Sequence, residues 1–404
     1  MSTTVSAATG MPQAPHTVTP TPDAFPVTWE DPADASLFWL LQRMHFPEPM
    51  TPLDEWFLRT EFEGATRAAQ VYDLPFYAKG RRCNTYAYAA IAPLPLPPEE
   101  LAAMGQRAQG KLGAAMARLG EQWNAEYLPE IQRYLDAWAA FDLAGASMTE
   151  LLAHLDAMIE TRERLWDIHF LVWFPAYTAI TLFEELYREL FGDEHTFDAY
   201  RLLQGFENKT LETTHALWRL SRQALAQPAV QQVLAESDPA DAPAVLSRSA
   251  EGRAFLAQLQ VYLHEYGQRS DKWVFSSLSW IEDPTPVISN LQDYITQPDR
   301  DLAAETARLA TERERLLAQV RAQMGDFPEP VVAHFEFLLK VAQQGSVLTE
   351  DHGFWIDFRG WYPVRCMFLE FGRRFAEACA LDKPDDIFFL TLGEVRETAQ
   401  ALPA

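Results

Sequence analysis

The densest group of chemically capable side chains lies near the C-terminal end of the chain. Residues 350–365 contain His352, Asp357, Arg359 and Arg365 among several large aromatic residues. Such polar side chains are costly to bury unless they pair with one another or perform a task. His352 or Asp357 could accept a proton from a hydroxyl group, and the two arginines could neutralise a phosphoryl group during its transfer. An internal salt-bridge network is the alternative interpretation.

A stripe of aromatic residues in the middle of the chain could form the wall of a binding pocket. At helical spacing, one helix face would carry Trp166, His169, Trp173 and Tyr177. Pro175 beside them would loosen the backbone and could expose groups to a ligand. A wall of this kind with a polar tip suits a flat aromatic guest. The alternative is a core stripe that contains one satisfied histidine.

Three further residues are candidates for contacts with the same substrate. Trp355 and Tyr362 lie within the C-terminal group, and we expect this group and the aromatic stripe to line one pocket. Arg269 follows Gly267, which is placed to end a helix, and could bind a carboxylate or a phosphate. A structural pair between Arg269 and an aspartate is an equally open interpretation.

Composition and charge exclude several classes of function. The 404 residues are 48% hydrophobic and carry a formal net charge of −24, which disfavours nucleic acid and anionic membranes as partners. No apolar run approaches the length of about 20 residues that a membrane-spanning helix needs. The three cysteines are widely spaced, so they form neither a disulfide framework nor a metal-binding set. We therefore expect a cytoplasmic protein with reduced thiols.

The chain contains no recognisable nucleotide-binding motif. The glycine-rich loops of ATP-binding and dinucleotide-binding folds are absent, and only 18 glycines occur in the whole sequence. The segment 213–216 superficially resembles the histidine motif of a phosphohistidine domain, but it lies inside a helical pattern and lacks the preceding glycine pair. We expect the isolated chain neither to bind nor to hydrolyse ATP.

The periodicity of apolar residues predicts a mostly α-helical fold with a small β patch in the N-terminal third. Residues 1–24 are expected to be a disordered tail and residues 25–404 a helical acceptor-binding domain, with a mixed part at 25–98 and a helical part at 99–404. A β hairpin is predicted over 77–91. Helices are predicted over 34–45, 99–141, 149–191, 208–227, 247–266, 301–324, 330–344, 354–380 and 393–399.

Several stretches resemble the central domain of rifampicin phosphotransferase and related phosphoenolpyruvate-synthase-like dikinases. The most specific is Asp385–Glu394, with the sequence DDIFFLTLGE, and the sequence departs from many relatives at Gln268, where they carry histidine. The resemblance covers nearly the whole chain after residue 24. The matching stretches are Phe25–Asp34, Phe38–Pro49, Leu203–Thr213, Phe255–Pro284 and Glu350–Val395.

The resemblance implies a division of labour between domains. In such enzymes an ATP-grasp domain splits ATP, a mobile histidine domain carries the phosphoryl group, and the acceptor binds the central helical domain. This chain is similar to that last domain alone, as in the two-subunit phenylphosphate synthase and hydroxyacetophenone kinase type. The implied substrate is a small phenolic compound. The implied partner is a subunit that carries the ATP-grasp and phosphohistidine domains.

The resemblance also implies where the cofactors and the catalytic charges lie. ATP and Mg²⁺ are expected on the partner subunit, and no cofactor or metal ion is expected in this chain, which would be inactive alone. By position, the catalytic basic pair of the family corresponds to Arg359 and Arg365. A non-catalytic helical ligand-binding or regulatory subunit is the alternative. Such a subunit would not need two cations that converge on its pocket.

Overall fold

The computed structural model of this protein describes residues 27–29 and 31–402. The chain divides into a short N-terminal unit, Met1–Leu37, and a large unit, Phe38–Ala404. In the described part of the first unit, Pro32–Ser36 forms a 3-10 helix, and the side chain of Asp31 caps it by accepting a hydrogen bond from the backbone N–H of Ala33 at 3.0 Å. The tail predicted for residues 1–24 lies outside the described residues.

A small antiparallel sheet confirms the predicted β patch. Its strands are β1 (Leu40–Leu41), β2 (Phe76–Cys83) and β3 (Tyr86–Pro93), and they lie in the order β1-β3-β2. Strands β2 and β3 form the predicted hairpin. Asn84 in the connecting turn has a φ of 57°, a left-handed conformation that asparagine tolerates better than most residues.

The helix predicted over residues 34–45 is wrong. The chain instead leaves the 3-10 helix and forms β1, in which Leu40 pairs with Ala89 of β3. Phe38 and Met44 are largely exposed, so this segment has no buried apolar face against which a helix could pack. Strand pairing with the hairpin therefore outweighs the local helical spacing.

The remainder of the described chain is mostly α-helical, as predicted. The helices are α1 (Asp54–Val71), α2 (Pro98–Gln122), α3 (Leu128–Ala140), α4 (Met148–Phe191), α5 (Thr196–Arg201), α6 (Lys209–Leu225), α7 (Pro228–Glu236), α8 (Ala242–Leu246), α9 (Ala250–Tyr266), α10 (Thr285–Ile295), α11 (Leu302–Gln323), α12 (Glu329–His352), α13 (Trp361–Glu377) and α14 (Leu392–Ala401). A π turn follows α2 at Trp123–Tyr127, and a second joins α12 to α13 at Gly353–Phe358. None of these helices is both long and apolar enough to cross a membrane.

Helix α4 is the central support of the fold. Ser147 and Glu150 form a capping box at its start, and Gly192 ends it with a φ of 94°. The helix continues through Pro175, which was expected to loosen the backbone there. Helix α12 packs closely along this stretch: a methyl group added to Gly345 would lie 2.8 Å from the backbone oxygen of Ala176.

The largest hydrophobic core lies where α1, α4 and α13 meet. It contains Phe57, Trp166, Phe275, Trp361 and Phe368, all almost fully buried. Burial of each such aromatic side chain contributes on the order of 2–3 kcal/mol relative to exposure. This core holds α1 and α4 in fixed positions, and polar side chains on both helices face the junction of α12 with the π turn.

Candidate functional site

The end of α12 and the following π turn face the middle of α4, and three predicted site residues meet there. His169 of α4 places Nδ1 3.2 Å from Oδ1 of Asp357. The ring of His169 lies 4.5 Å, centroid to centroid, from that of His352. The structure therefore brings the aromatic stripe and the C-terminal group together at these residues.

His352 is held neutral at the end of α12. Its side chain is only 3% exposed, and Nδ1 lies 2.6 Å from the carbonyl oxygen of Leu348, so this nitrogen carries the ring proton and donates it. Burial, together with the nearby charge of His169, lowers the pKa of His352 to about 4. The other nitrogen, Nε2, is buried and has no hydrogen-bond partner in the part of the chain that the structure describes.

Asp357 is ionised although it is buried. Burial alone would raise the pKa of this carboxyl group, but the electrostatic attraction and the hydrogen bond of His169, together with the attraction of His352 and Arg162, outweigh that effect. The pKa of Asp357 consequently lies below its ordinary value. An ionised carboxylate at Nδ1 fixes the orientation of the His169 ring. A carboxylate commonly has this orienting role beside a histidine that acts as a general acid or base.

Two charged residues that the sequence analysis missed lie beside this group. Glu61 of α1 is 4% exposed, and burial, with a smaller effect of Asp357, raises its pKa to about 8 although Arg162 acts in the opposite direction. Arg162 of α4 is fully buried and donates a hydrogen bond to the carbonyl oxygen of Ile356 at 2.5 Å. Burial lowers the pKa of Arg162 to about 10, while Asp357 and Glu61 oppose that shift.

His45 completes what we call the buried polar cluster. Its Nδ1 lies 3.8 Å from Oε1 of Glu61, and its ring stacks on Trp273 at 4.7 Å. Burial lowers the pKa of His45, and the charges of Asp357 and His169 also act on it. The members of the buried polar cluster are His45, Glu61, Arg162, His169, His352 and Asp357.

The sequence contains a usable indication of two of the missed residues. Arg162 lies seven residues after Leu155 and four before Trp166. This spacing places all three on one face of α4, and that face points to the protein core. Glu61 interrupts the apolar face of α1 in the same way. A charged residue at a core-facing position is rarely buried unless it is paired or has a task. Arg162 and Glu61 could therefore have been selected from the sequence as candidate site residues.

The two arginines expected to be catalytic lie elsewhere. Arg359 donates to Oε1 of Glu265 at 2.7 Å. Arg365 is 1% exposed, and its Nε lies 2.9 Å and 3.0 Å from the two carboxylate oxygens of Glu282. It also donates to the carbonyl oxygen of Phe275. Among the described residues, no hydrogen bond or ion pair given above joins either arginine to the group of His169, His352 and Asp357. Both arginines pair with carboxylates, as in an internal salt-bridge network, and their catalytic role stays a prediction.

The aromatic stripe is divided between the core, the cluster and the surface. Trp166 is fully buried in the main core, and His169 belongs to the cluster. Trp173 and Tyr177 stack on each other at 4.9 Å, and Tyr177 is 54% exposed. The four residues therefore do not form one continuous wall.

The remaining predicted contacts also have local partners. The guanidinium group of Arg269 lies 3.8 Å from the ring centroid of Phe358, and its burial lowers the pKa of this group. The ring of Trp355 lies 5.3 Å from the guanidinium group of Arg359. Tyr362 is partly buried and hydrogen-bonds Cys366, and burial raises the pKa of its hydroxyl group.

Comparison with known proteins relates part of this chain to phosphotransferases. Residues 169–350 match the family model of the rifampicin phosphotransferase fourth domain. These residues begin at His169 and include all of α12 except its last two residues. The match therefore contains one member of the buried polar cluster and ends just before His352 and Asp357.

Two curated relatives extend the similarity over more of the chain. Chondramide synthase cmdD of Chondromyces crocatus is 40% identical over 386 residues, which cover 94% of this chain and 10% of the synthase. The uncharacterized phosphotransferase YvkC of Bacillus subtilis (strain 168) is 26% identical over 275 residues, which cover 68% of this chain and 32% of that protein. The chain thus spans about a tenth and about a third of the lengths of these relatives. Together with the family match, they support a relationship to the phosphoenolpyruvate-utilising, dikinase-like phosphotransferases.

Proposed function

We propose that this chain is the acceptor-binding part of a dikinase-type phosphotransferase that phosphorylates a small phenolic compound. The observation that carries the proposal is the pairing of His169 with the ionised Asp357, beside the neutral His352, in a helical domain similar to phosphotransferases. A non-catalytic scaffold would have no need of three such groups at one point.

The cluster can perform the proton transfer that the reaction requires. A phenol has a pKa near 10, so at neutral pH its hydroxyl proton must be removed as the oxygen attacks phosphorus. Asp357 binds Nδ1 of His169, so Nε2 is the ring nitrogen that would accept this proton. In the proposed step, the phenolic oxygen forms a bond to phosphorus while the bond from phosphorus to a donor phosphohistidine breaks. Arg162 favours the ionised form of Asp357 throughout.

The donor side of the reaction is assigned to a partner subunit. That subunit would carry the ATP-grasp and phosphohistidine domains and bind ATP and Mg²⁺ in the same cytoplasmic compartment. The phosphoryl charge would be neutralised mainly by that partner and its metal, because Arg359 and Arg365 already pair with carboxylates. Arg365 in particular could reach a phosphoryl group only by leaving Glu282.

The test is aryl phosphate formation by the purified chain together with a partner protein of that domain composition, ATP and a set of simple phenols, followed by phosphorus NMR. His169→Gln should lower the transfer rate by about 10²- to 10⁴-fold and leave acceptor affinity within a few-fold. His154→Gln is the matched control, because His154 is a half-buried histidine on the same helix that stacks on Phe141. Full activity of His169→Gln would contradict the proposal.

A second candidate is favoured by the 40% identity to chondramide synthase over 94% of this chain. In that case the chain would serve as a ligand-binding domain of a biosynthetic synthase and would transfer no phosphoryl group. Two results together would favour this candidate. The His169→Gln variant would still bind phenol, and the wild type would form no aryl phosphate with any partner protein tested.

A further inference from the structure

The buried polar cluster contains a set of donor atoms that is typical of metal sites. His169, His352 and Asp357 each offer one ligand atom, and these atoms lie within 4.8 Å of one another. Two imidazoles and one carboxylate are the protein ligands of some catalytic zinc sites and of the non-haem iron class. None of the three cysteines is needed for such a site.

The distances are close to those of a bound ion. At bond lengths of about 2.1 Å, two ligand atoms of one tetrahedral or octahedral ion are separated by about 3.0–3.4 Å. His169 Nδ1 and Asp357 Oδ1 are already 3.2 Å apart. The third ligand atom would need to approach by at most about 1.5 Å, a shift within reach of side-chain rotation.

His352 provides the independent observation that points to a ligand. Its Nε2 is buried in a side chain that is 3% exposed and has no hydrogen-bond partner among the residues that the structure describes. A buried polar atom without a partner is unfavourable, and a metal ion would satisfy it. The carbonyl group of Leu348 accepts the proton of Nδ1, which is the outer contact that metal-binding histidines usually make and which fixes the lone pair on Nε2.

We propose that His169, His352 and Asp357 bind one divalent transition-metal ion, of the Zn²⁺, Mn²⁺ or Fe²⁺ class, and leave at least one coordination position open. This differs from the expectation that the chain holds no metal. Arg162 opposes the added charge, whereas the ionised carboxylate of Asp357 offsets it. Two more buried atoms without a described partner, Nδ1 of His45 and Oε2 of Glu61, could bind water molecules of the ion.

The role of such an ion toward the acceptor rests on the proposed function, but its binding does not. An ion with an open position would lower the pKa of a hydroxyl group that it binds, which is the assistance that a phenol requires. His169 and His352 would then serve as ligands, and His45, the remaining imidazole of the cluster, would accept the proton.

The test is metal binding by the whole chain, without ATP, partner or phenol. The protein is treated with EDTA, freed of chelator, and titrated with Zn²⁺, Mn²⁺ or Co²⁺ in competition with a chromophoric chelator. We expect one equivalent of Zn²⁺ to bind with a dissociation constant on the order of micromolar or tighter. His352→Gln and Asp357→Asn should each weaken binding by about 100-fold or more. His154→Gln, the matched control on α4, should leave the affinity unchanged.

Two results would overturn the proposal. No stoichiometric binding of any of these ions to the wild type would overturn the proposal, as would equal affinities in the wild type and the two ligand variants. Circular dichroism checks that each variant is folded, and His169→Gln, whose side chain is partly exposed, replaces any variant that is not. The metal titration does not measure phosphoryl transfer. A protein that binds no metal could therefore still carry out the proposed reaction, and a protein that binds metal could still fail to carry it out.

Discussion

Replacement of Glu61 by glutamine should stabilise this protein at neutral pH. Glu61 is buried, and its pKa rises from 4.5 to about 8 on folding. A raised folded-state pKa contributes stability that is fully present below pH 4.5 and is lost as the pH rises toward 8. At pH 7 the folded protein must hold a proton that the unfolded chain has released. This costs about 3 kcal/mol, from about 2.5 pH units at 1.36 kcal/mol each.

Glutamine has nearly the same shape as protonated glutamate and does not titrate. The free energy of unfolding of Glu61→Gln should therefore exceed that of the wild type by up to about 3 kcal/mol at pH 7, and the two should converge near pH 4.5. The measurement is urea unfolding of both proteins across this pH range in the presence of EDTA. Subtraction of the two curves removes the titration of all groups that the proteins share. Glu63→Gln, an exposed change on the same helix, is the control.

A difference in unfolding free energy that does not vary with pH would refute this reasoning. It would mean that Glu61 has the same proton affinity in the folded and unfolded chains. Such a result would also require that Arg162 and His45 together stabilise the carboxylate as strongly as burial and Asp357 destabilise it.

Three further predictions concern Arg365, Gly345 and the binding of ATP. Arg365→Ala should lower the free energy of unfolding by about 3–5 kcal/mol in urea titrations, because it leaves the Glu282 carboxylate without its buried partner. The rate of phosphoryl transfer per folded molecule should stay unchanged. A large loss of transfer without destabilisation would contradict this prediction. Gly345→Ala should lower the melting temperature through a clash with Ala176, at a cost of about 1–3 kcal/mol, whereas Gly325→Ala, with open space around it, should not. Calorimetry of the isolated chain should detect no binding of ATP. A micromolar affinity of this chain for ATP would contradict the assignment of ATP to a partner subunit.

The long helices could be predicted from sequence because their information is local. Ser249 and Asp301 cap α9 and α11, and apolar residues recur at helical spacing after each. Helix α1 was not predicted, because Glu61 interrupts its apolar face and its buried contacts come from distant parts of the chain. Helices α5, α7, α8 and α10 are short, and short segments carry little periodic information.

The site could be predicted only in part, because residue types are local information and the pairing of side chains is not. The types of His169, His352 and Asp357 marked them as candidates, but type alone could not separate them from Arg359 and Arg365. What separates them is tertiary: the carboxylate that pairs with Arg359 lies 94 residues earlier in the chain. No local spacing contains that information.

The π turn at Gly353–Phe358 makes the geometry of the site sensitive to chain length. Its hydrogen bonds span five residues, as from the N–H of Arg359 to the carbonyl oxygen of Phe354, so it holds one residue more than an α-helical turn of the same rise. Removal of one residue between Gly353 and Ile356 would restore α-helical hydrogen-bond spacing in this turn. Each position after the deletion would then turn by about 100° around the helix axis. Asp357 could not keep its hydrogen bond to His169 after such a rotation, even though every side chain of the cluster would still be present in the sequence.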